Sequence, residues 1–296
     1  MSVFNTFTLN ENNEYVYKEY DGNNIIAGDT DSVILNISKV FSINNSLEER
    51  VQFSDELGEI VNESFPDFMK SVFNVPEERS GLIQTEREVY GDKGYFGSKK
   101  RYMVHIIDEE GKKVDKHKIK GLEIIKSDTN DNLRVFLKKL VMMFLQDKSR
   151  GEILEEVERF KEWWYQGSIL DIGTPKSVKV LADYMNRYEH TGSLKHMPQH
   201  VKASIFYNKI KDNKAPPIRS GDKITICYIK DNKESNIIAV PSDLDEVPSC
   251  LNNIVIDYDT QWEKVGKKKI DNYLQPVGLD FESYRKNHTR KLFDFG

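Results

Sequence analysis

The sequence has few of the features that mark exported, disulfide-bonded or membrane-spanning proteins. It contains two cysteines, Cys227 and Cys250, which are too few for a disulfide framework or a thiolate zinc site. The longest apolar run, from Leu140 to Leu145, is far shorter than the roughly 20 residues of a membrane-spanning helix. No basic region followed by an apolar stretch marks a secretory signal. These absences predict a protein of the reducing cytoplasm without a membrane partner.

An overall excess of basic charge is also absent. The 296 residues include 43 Lys and Arg against 48 Asp and Glu, a net charge of −5. The distribution is uneven, because residues 42–80 hold nine acids and three bases, whereas residues 195–230 hold eight bases and two acids. Screening confines each patch to about 8–10 Å, so an acidic protein can still carry a positive groove. The length predicts about two domains.

Apolar periodicity predicts an α+β fold. Two short apolar runs around a polar centre at residues 24–37 indicate a hairpin. Apolar residues from Leu57 to Phe73 recur at helical spacing, and Pro66 inside them leads us to expect a kink or two abutting helices. Turn residues separate three further segments, which predict a small antiparallel sheet: residues 82–90, 101–107 and 118–125.

The pattern becomes mainly helical after a domain boundary that we place near residues 125–128. Apolar stripes predict three helices: residues 133–145, 153–164 and 176–188. After residue 190 the chain looks irregular, apart from two β-like segments at 223–230 and 236–240. Trp163 and Trp164 follow a helical stripe and are expected in the core.

Asp29 and Asp31 form the clearest candidate site. They are two residues apart on a segment expected to be extended, so both carboxylates would project to the same side. Two such charges repel each other unless a cation lies beside them, and carboxylate oxygens suit a hard divalent ion. An Asx-type turn in an ordinary hairpin is the alternative interpretation.

Five sequence elements occur in an order that resembles that of family B DNA polymerases. The Asp-Thr-Asp sequence, between Gly28 and Ser32, is similar to the carboxylate hairpin of that family's palm domain. Lys-Lys-Arg-Tyr at 99–102, after the Gly-rich residues 91–97, resembles the element that holds the primer terminus. Residues 121–128 are similar to the segment that ends the palm. Residues 200–208 are similar to a thumb stretch of T-even-phage-like members, and residues 292–295 to their sliding-clamp-binding tail.

The resemblance implies a domain organisation. Residues 1–125 would form part of an antiparallel palm sheet with packed helices, residues 126–285 a mainly helical thumb, and residues 286–296 a flexible tail. It also implies DNA-directed DNA polymerase activity, in which a primer 3′-hydroxyl attacks the α-phosphate of a dNTP. If the source is viral, the compartment would be the host cytoplasm.

The same resemblance implies roles for individual residues. Asp31, the firmer ligand, and Asp29 would be the catalytic carboxylates and would hold two Mg²⁺ ions together with an aspartate of a partner chain. Glu88 is a possible further palm carboxylate. Residues implied to bind primer–template DNA are Gly94, Lys99, Lys100, Arg101, Tyr102, His200, Lys202 and Tyr207. Residues implied to bind a sliding clamp are Leu292, Phe293 and Phe295.

Each assignment has a simpler alternative. The lysines at 99 and 100 could protect a strand edge, the basic stretch could be a solvated face, and the terminal residues could be an inert tail. Glu88 could form a surface salt bridge. His196 and His200 could ligate zinc if they shared a helix, but Pro198 between them argues against a regular helix.

Two expected patterns of the family are absent from the sequence. These are Asp-x-x-Ser-Leu-Tyr-Pro-Ser, which supplies the other metal-binding carboxylate, and Lys-x-x-x-Asn-x-x-Tyr-Gly, which grips the incoming nucleotide. We therefore expect this chain to be the carboxyl-terminal part of a divided polymerase, active only with an amino-terminal partner chain. Strands up to about Ile37 are expected to pair with that partner.

Two other functional classes remain open. The chain could be a non-catalytic DNA- and clamp-binding processivity subunit in which Asp-Thr-Asp is vestigial. It could also be an independent metal-dependent glycosyl or nucleotidyl transferase that uses the Asp-x-Asp pair alone.

Overall fold

The computed structural model describes residues 5–9, 15–19, 25–28, 31–38, 45–230 and 234–286. It is an α+β protein with antiparallel sheets, as predicted. The strands are β1 Asn5–Leu9, β2 Tyr15–Glu19, β3 Ile25–Gly28, β4 Val33–Leu35, β5 Val89–Ser98, β6 Arg101–Glu109, β7 Lys112–Lys120, β8 Thr174–Ser177, β9 Lys223–Tyr228 and β10 Ile237–Pro241. The helices are α1 Leu47–Phe73, α2 Glu77–Ser80, α3 Asp131–Leu145, α4 Arg150–Trp164, α5 Ile169–Ile172, α6 Ala182–Thr191, α7 Gln199–Ile210, α8 Tyr258–Gln261 and α9 Lys268–Leu274.

The chain divides into two compact units. The first contains residues 1–94 and 102–118, and the second contains residues 95–101 and 119–296. The division therefore falls within strands β5, β6 and β7. The palm–thumb boundary near residues 125–128 stays a prediction.

The first unit contains two hairpins and the long helix α1. Strand β1 pairs with β2, and β3 pairs with β4, both antiparallel, so the hairpin expected at residues 24–37 is confirmed. Helix α1 begins at a reciprocal capping box between Ser46 and Glu49, a signal that the apolar spacing alone did not reveal. It continues through Pro66 to Phe73, so the expectation of two abutting helices is wrong. The helix thus runs over 27 residues although Pro66 offers no amide hydrogen for one of its hydrogen bonds.

Strands β5, β6 and β7 form a three-stranded sheet in that order. Two-residue turns join them, which requires antiparallel pairing, and the predicted small antiparallel sheet is confirmed. The strands differ in their bounds from the predicted segments. Strand β5 starts only at Val89 and includes the Gly-rich stretch, and β7 ends at Lys120, before a 3₁₀ turn at Glu123–Ile125. Gly91 explains why glycine suits this strand: a Cβ there would lie 2.8 Å from the carbonyl oxygen of His105.

The second unit has an aromatic and aliphatic core. Trp164 is fully buried and meets the ring of Trp262 edge to face, with centroids 5.9 Å apart. Trp163 is 38% exposed and stacks on Phe160, so the prediction of a core position holds for Trp164 only. Tyr95 stacks between Phe144 and Tyr273 and anchors the end of β5 in this core.

Two predictions for the second unit are wrong. The helix expected at 176–188 is instead the end of strand β8 followed by α6, which begins only at Ala182. The chain after residue 190 is not mainly irregular, since α7, α8 and α9 follow, although β9 and β10 lie where β-like segments were predicted. Pro198 caps the start of α7 instead of interrupting a helix, because proline is tolerated where the first amides have no intrahelical partner. Across the parts of the chain that the structure describes, no helix combines the length and apolarity needed to cross a bilayer.

Candidate functional site

The β3–β4 hairpin carries the candidate catalytic carboxylates. Gly28 pairs with Val33, and the connection between them contains Asp31, whose side chain is exposed. Asp31 therefore lies in a bend and not on an extended strand, so strand alternation does not fix its direction. Asp29 lies outside the described residues.

An exposed carboxylate matches the preference of Mg²⁺ for oxygen ligands. One carboxylate fills only part of an octahedral coordination sphere, and further oxygens must come from elsewhere. Within the described ranges, no group of three or more His, Cys, Asp or Glu residues is arranged to hold a metal ion. The described hairpin thus fits one ligand of a metal site and not a complete one.

The turn between β5 and β6 presents the Lys-Lys-Arg element. Lys99 and Lys100 are exposed, and Lys100 has a left-handed backbone conformation with φ of 60°. The guanidinium of Arg101 instead makes an ion pair with the carboxylate of Glu123, whose side chain is only 10% exposed. Two of the three predicted phosphate-binding cations therefore lie at the surface, while the third is engaged inside its unit.

Three other predicted residues lie in the first unit. Gly94 is exposed on β5. Tyr102 is buried at the start of β6, which does not suit its predicted contact with a primer. Glu88 precedes β5 and forms an ion pair of 2.6 Å with Lys118, the salt-bridge alternative considered from the sequence.

Helix α7 carries the predicted thumb residues and packs against β10. Tyr207 is fully buried, donates a hydrogen bond of 3.0 Å to the carbonyl of Pro216 and, because of burial, has its pKa raised to about 12. The side chain of Tyr207 is therefore turned into the core of its unit, and its predicted contact with DNA stays a prediction. Phe206 is buried as well, and the ring of Tyr228 is covered on one face by Lys264, with 4.7 Å between ammonium and ring centroid.

Lys202 and His200 are half-buried on the same helix. Burial, and then the positive charge of Lys176, lower the pKa of His200. His200 is therefore neutral near pH 7 and is a weaker phosphate ligand than the sequence suggested.

His196 and His200 do not share a helical face. His196 precedes α7 with φ of 63°, whereas His200 lies in the first turn of the helix. A zinc site at this pair has no support.

Residues far apart in the sequence form a basic cluster in the second unit, which we define as Lys126, Lys176 and Lys269. Lys269 donates a hydrogen bond of 2.7 Å to the hydroxyl of Thr129, and Lys176 lies 4.0 Å from the carboxylate of Asp128. The pKa of Lys269 is lowered, chiefly by burial. The charges of Asp128 and Glu123 raise this pKa in part, and those of Lys176 and Lys126 lower it further. Three lysines with two carboxylates, Asp128 and Glu123, beside them leave an excess of positive charge, which favours an anion.

Sequence reasoning missed most of this basic cluster. Lys126 belongs to the segment that ends the predicted palm, but Lys176 and Lys269 come from β8 and α9. No motif or spacing joins them, because tertiary packing alone brings them together. The basic stretch at 195–230 was the visible signal, yet Lys209 from it forms an ion pair of 2.6 Å with Glu234.

Comparison with known proteins identifies the family. The sequence profile of DNA polymerase family B matches residues 3–277. The chain belongs to DNA polymerase family B.

Two family B relatives come from bacteriophages. The DNA-directed DNA polymerase of Enterobacteria phage T4 is 26% identical over 300 residues, which cover 91% of this chain and 32% of that polymerase. The DNA-directed DNA polymerase of Escherichia phage RB69 is 24% identical over 296 residues, which cover 92% of this chain and 32% of that polymerase. This family B chain thus spans about a third of the length of these relatives, and the recognition of a T-even-like polymerase segment is confirmed.

The predicted clamp-binding residues of this family B chain are Leu292, Phe293 and Phe295. All three lie outside the described residues, the last of which is Lys286. Their role stays a prediction that rests on the resemblance of the tail.

Proposed function

We propose that the chain supplies part of the palm, the thumb and the clamp-binding tail of a DNA-directed DNA polymerase. The observation that carries this proposal is the β3–β4 hairpin, which exposes Asp31 in a chain that belongs to DNA polymerase family B. The substrates would be a primer–template duplex and dNTPs. The domain limits remain those given by the sequence: palm to residue 125, thumb from 126 to 285 and tail from 286.

We further propose that polymerisation requires a second polypeptide. The 296 residues contain neither the Asp-x-x-Ser-Leu-Tyr-Pro-Ser pattern nor the Lys-x-x-x-Asn-x-x-Tyr-Gly pattern. They align with 32% of each phage relative. A complementary chain would bring the missing carboxylate and the nucleotide-binding helix, and its strands would pair with the strands before Ile37.

In this proposal Asp31, with Asp29, offers carboxylate oxygens at the hairpin connection. Two bound Mg²⁺ ions would supply electrostatic stabilisation of the in-line attack of the primer 3′-hydroxyl on the α-phosphate. The part played by this chain is to hold the carboxylates at a fixed place beside the primer end. Lys99 and Lys100 would hold the primer phosphates, and positioning of this kind contributes much of the rate.

The basic cluster is proposed to extend the grip on DNA. Its three lysines come from separate parts of one unit, namely the residue after the 3₁₀ turn, strand β8 and helix α9. Contacts between cations and phosphates position a duplex without reading its sequence, as a polymerase requires. The tail residues Leu292, Phe293 and Phe295 are proposed to insert into a sliding clamp.

Replacing Lys99 and Lys100 together by Ala is expected to weaken binding of the full chain to a primer–template duplex. Each phosphate contact contributes about 0.9 to the slope of log K against log salt concentration, so the slope should fall by about 1.8. Fluorescence anisotropy of a labelled duplex, titrated at several NaCl concentrations, measures the slope.

The control is the double variant Lys112→Ala and Lys113→Ala, which removes two exposed lysines beside the other turn of the same sheet. It should leave the slope unchanged. Failure of the wild-type chain to bind the duplex at low salt would contradict the proposed function, and equal slopes for the two double variants would contradict the role of Lys99 and Lys100.

A further inference from the structure

The ion pair between Arg101 and Glu123 joins the start of β6 to the 3₁₀ turn after β7. The Nη2 atom of Arg101 donates to Oε2 of Glu123, and the two side chains are 27% and 10% exposed. Glu123 is held in place by its neighbours, because Leu122 is buried and the amide of Lys126 donates a hydrogen bond of 3.1 Å to the Glu123 carbonyl. The carboxylate is thus a fixed point to which Arg101 is attached.

The backbones of the two segments also approach each other closely at this place. A Cβ on Gly121 would lie 2.1 Å from the carbonyl oxygen of Lys100, and Gly121 has φ of 66°. Only glycine permits both the left-handed conformation and this approach. Lys100 itself has φ of 60°, which is uncommon for a residue with a side chain. The turn is therefore held in a defined and unusual conformation.

The distribution of charge explains what this arrangement does. A guanidinium paired with a largely buried carboxylate has its charge balanced within the protein and adds little to the field outside. The side chains of Lys99 and Lys100 are exposed at the surface. Of the three successive cations, two can meet phosphates while the third fixes the chain that carries them.

We propose that Glu123 is a positioning residue, which acts through Arg101 to hold the Lys99–Lys100 turn in the conformation that binds the phosphates of primer DNA. Arg101 is then an internal anchor and not a phosphate ligand. The inference rests on the proposed function and specifies how one part of that site is built.

The test uses the full chain and a fluorescein-labelled primer–template duplex, with binding measured over a range of salt concentrations. The single variant Glu123→Gln removes the negative charge that faces both Arg101 and Lys126. It should nevertheless weaken binding by about tenfold, the effect seen when a group that orients a ligand-binding side chain is lost. A phosphate-contacting Arg101 would instead bind equally well or more tightly once freed, and that result would overturn the inference.

Two double variants test independently whether Arg101 is an internal anchor or a phosphate ligand. Exchanging the charges, with Arg101→Glu and Glu123→Arg, should restore binding to within a few-fold of the wild type, because the pair is kept. The neutral pair, with Arg101→Gln and Glu123→Gln, should keep the wild-type salt slope even if the exchanged pair does not fold. A slope lower by about 0.9 in the neutral pair would show that Arg101 neutralises a phosphate and would refute the proposal.

The control for charge alone is Arg159→Gln on α4, which removes one exposed positive charge that faces the largely buried carboxylate of Glu156. It should leave affinity and slope unchanged. Circular dichroism confirms that each variant folds. The outcomes for the proposed function and for the role of Glu123 can be told apart. If the wild type does not bind the duplex, the proposed function is refuted. If the wild type binds and the neutral pair has a reduced salt slope, only the role of Glu123 is refuted.

Discussion

Replacing Asp31 by Ala is expected to reduce primer extension by about 10³-fold or more. The reaction is to be measured with this chain combined with the complementary chain that carries the Asp-x-x-Ser-Leu-Tyr-Pro-Ser pattern. The physical reason is that the exposed carboxylate of Asp31 is the firmer of the two proposed metal ligands, and alanine offers no oxygen in its place. Binding of duplex DNA should remain, because Asp31 carries no positive charge.

The matched control is Asp67→Ala, which removes an exposed carboxylate from helix α1. It should leave extension unchanged. If Asp31→Ala extends primers within tenfold of the wild type, the chain has only a binding role, and the non-catalytic processivity subunit becomes the better hypothesis. Activity of the isolated chain towards a sugar nucleotide, without DNA, would favour the independent transferase instead.

Replacing Arg87 by Ala is expected to destabilise the first unit by about 3–5 kcal/mol, the cost of leaving a buried charge without its partner. Arg87 is 9% exposed and donates hydrogen bonds of 2.6 Å to Asp108 and 2.5 Å to Asp55. Asp108 is 7% exposed, so the loss of Arg87 would leave a buried carboxylate. Urea unfolding followed by circular dichroism measures the change in free energy of unfolding.

An exposed ion pair of the same unit provides the comparison. Lys113 and Glu48 lie 2.7 Å apart with side chains 75% and 67% exposed, so Lys113→Ala should change the free energy of unfolding very little. Similar losses for Arg87→Ala and Lys113→Ala would show that burial does not strengthen the Arg87 network. We expect Arg87→Ala to lower the free energy of unfolding several times more than Lys113→Ala does.

The sequence predicts those elements that are marked by patterns among neighbouring residues. The β3–β4 hairpin, the β5–β7 sheet and helices α3 and α4 could be recognised from apolar spacing and turn residues. Apolar spacing predicts only the part of helix α1 from Leu57 onwards, because the capping box at Ser46 and Glu49 is polar and because Pro66 suggests a break. Helix α7 was missed because six of its residues are buried, which removes the one-sided stripe that marks a surface helix.

The candidate site divides in the same way. Asp31, Lys99 and Lys100 could be predicted, since the motifs that contain them are contiguous and their side chains are exposed. Tyr207 and Arg101 lie in such motifs too, but packing turns the first inward and pairs the second with Glu123. Lys176 and Lys269 could not be found, because only the fold brings β8 and α9 to the same place.

The most direct test of the central claim is primer elongation by three preparations in Mg²⁺ buffer: this chain, the complementary chain, and the two mixed. The account predicts that only the mixture elongates a labelled primer on its template, and that chelation of Mg²⁺ stops it. Elongation at full rate by this chain alone, or a mixture no more active than the complementary chain, would contradict the claim that the two polypeptides share one catalytic centre.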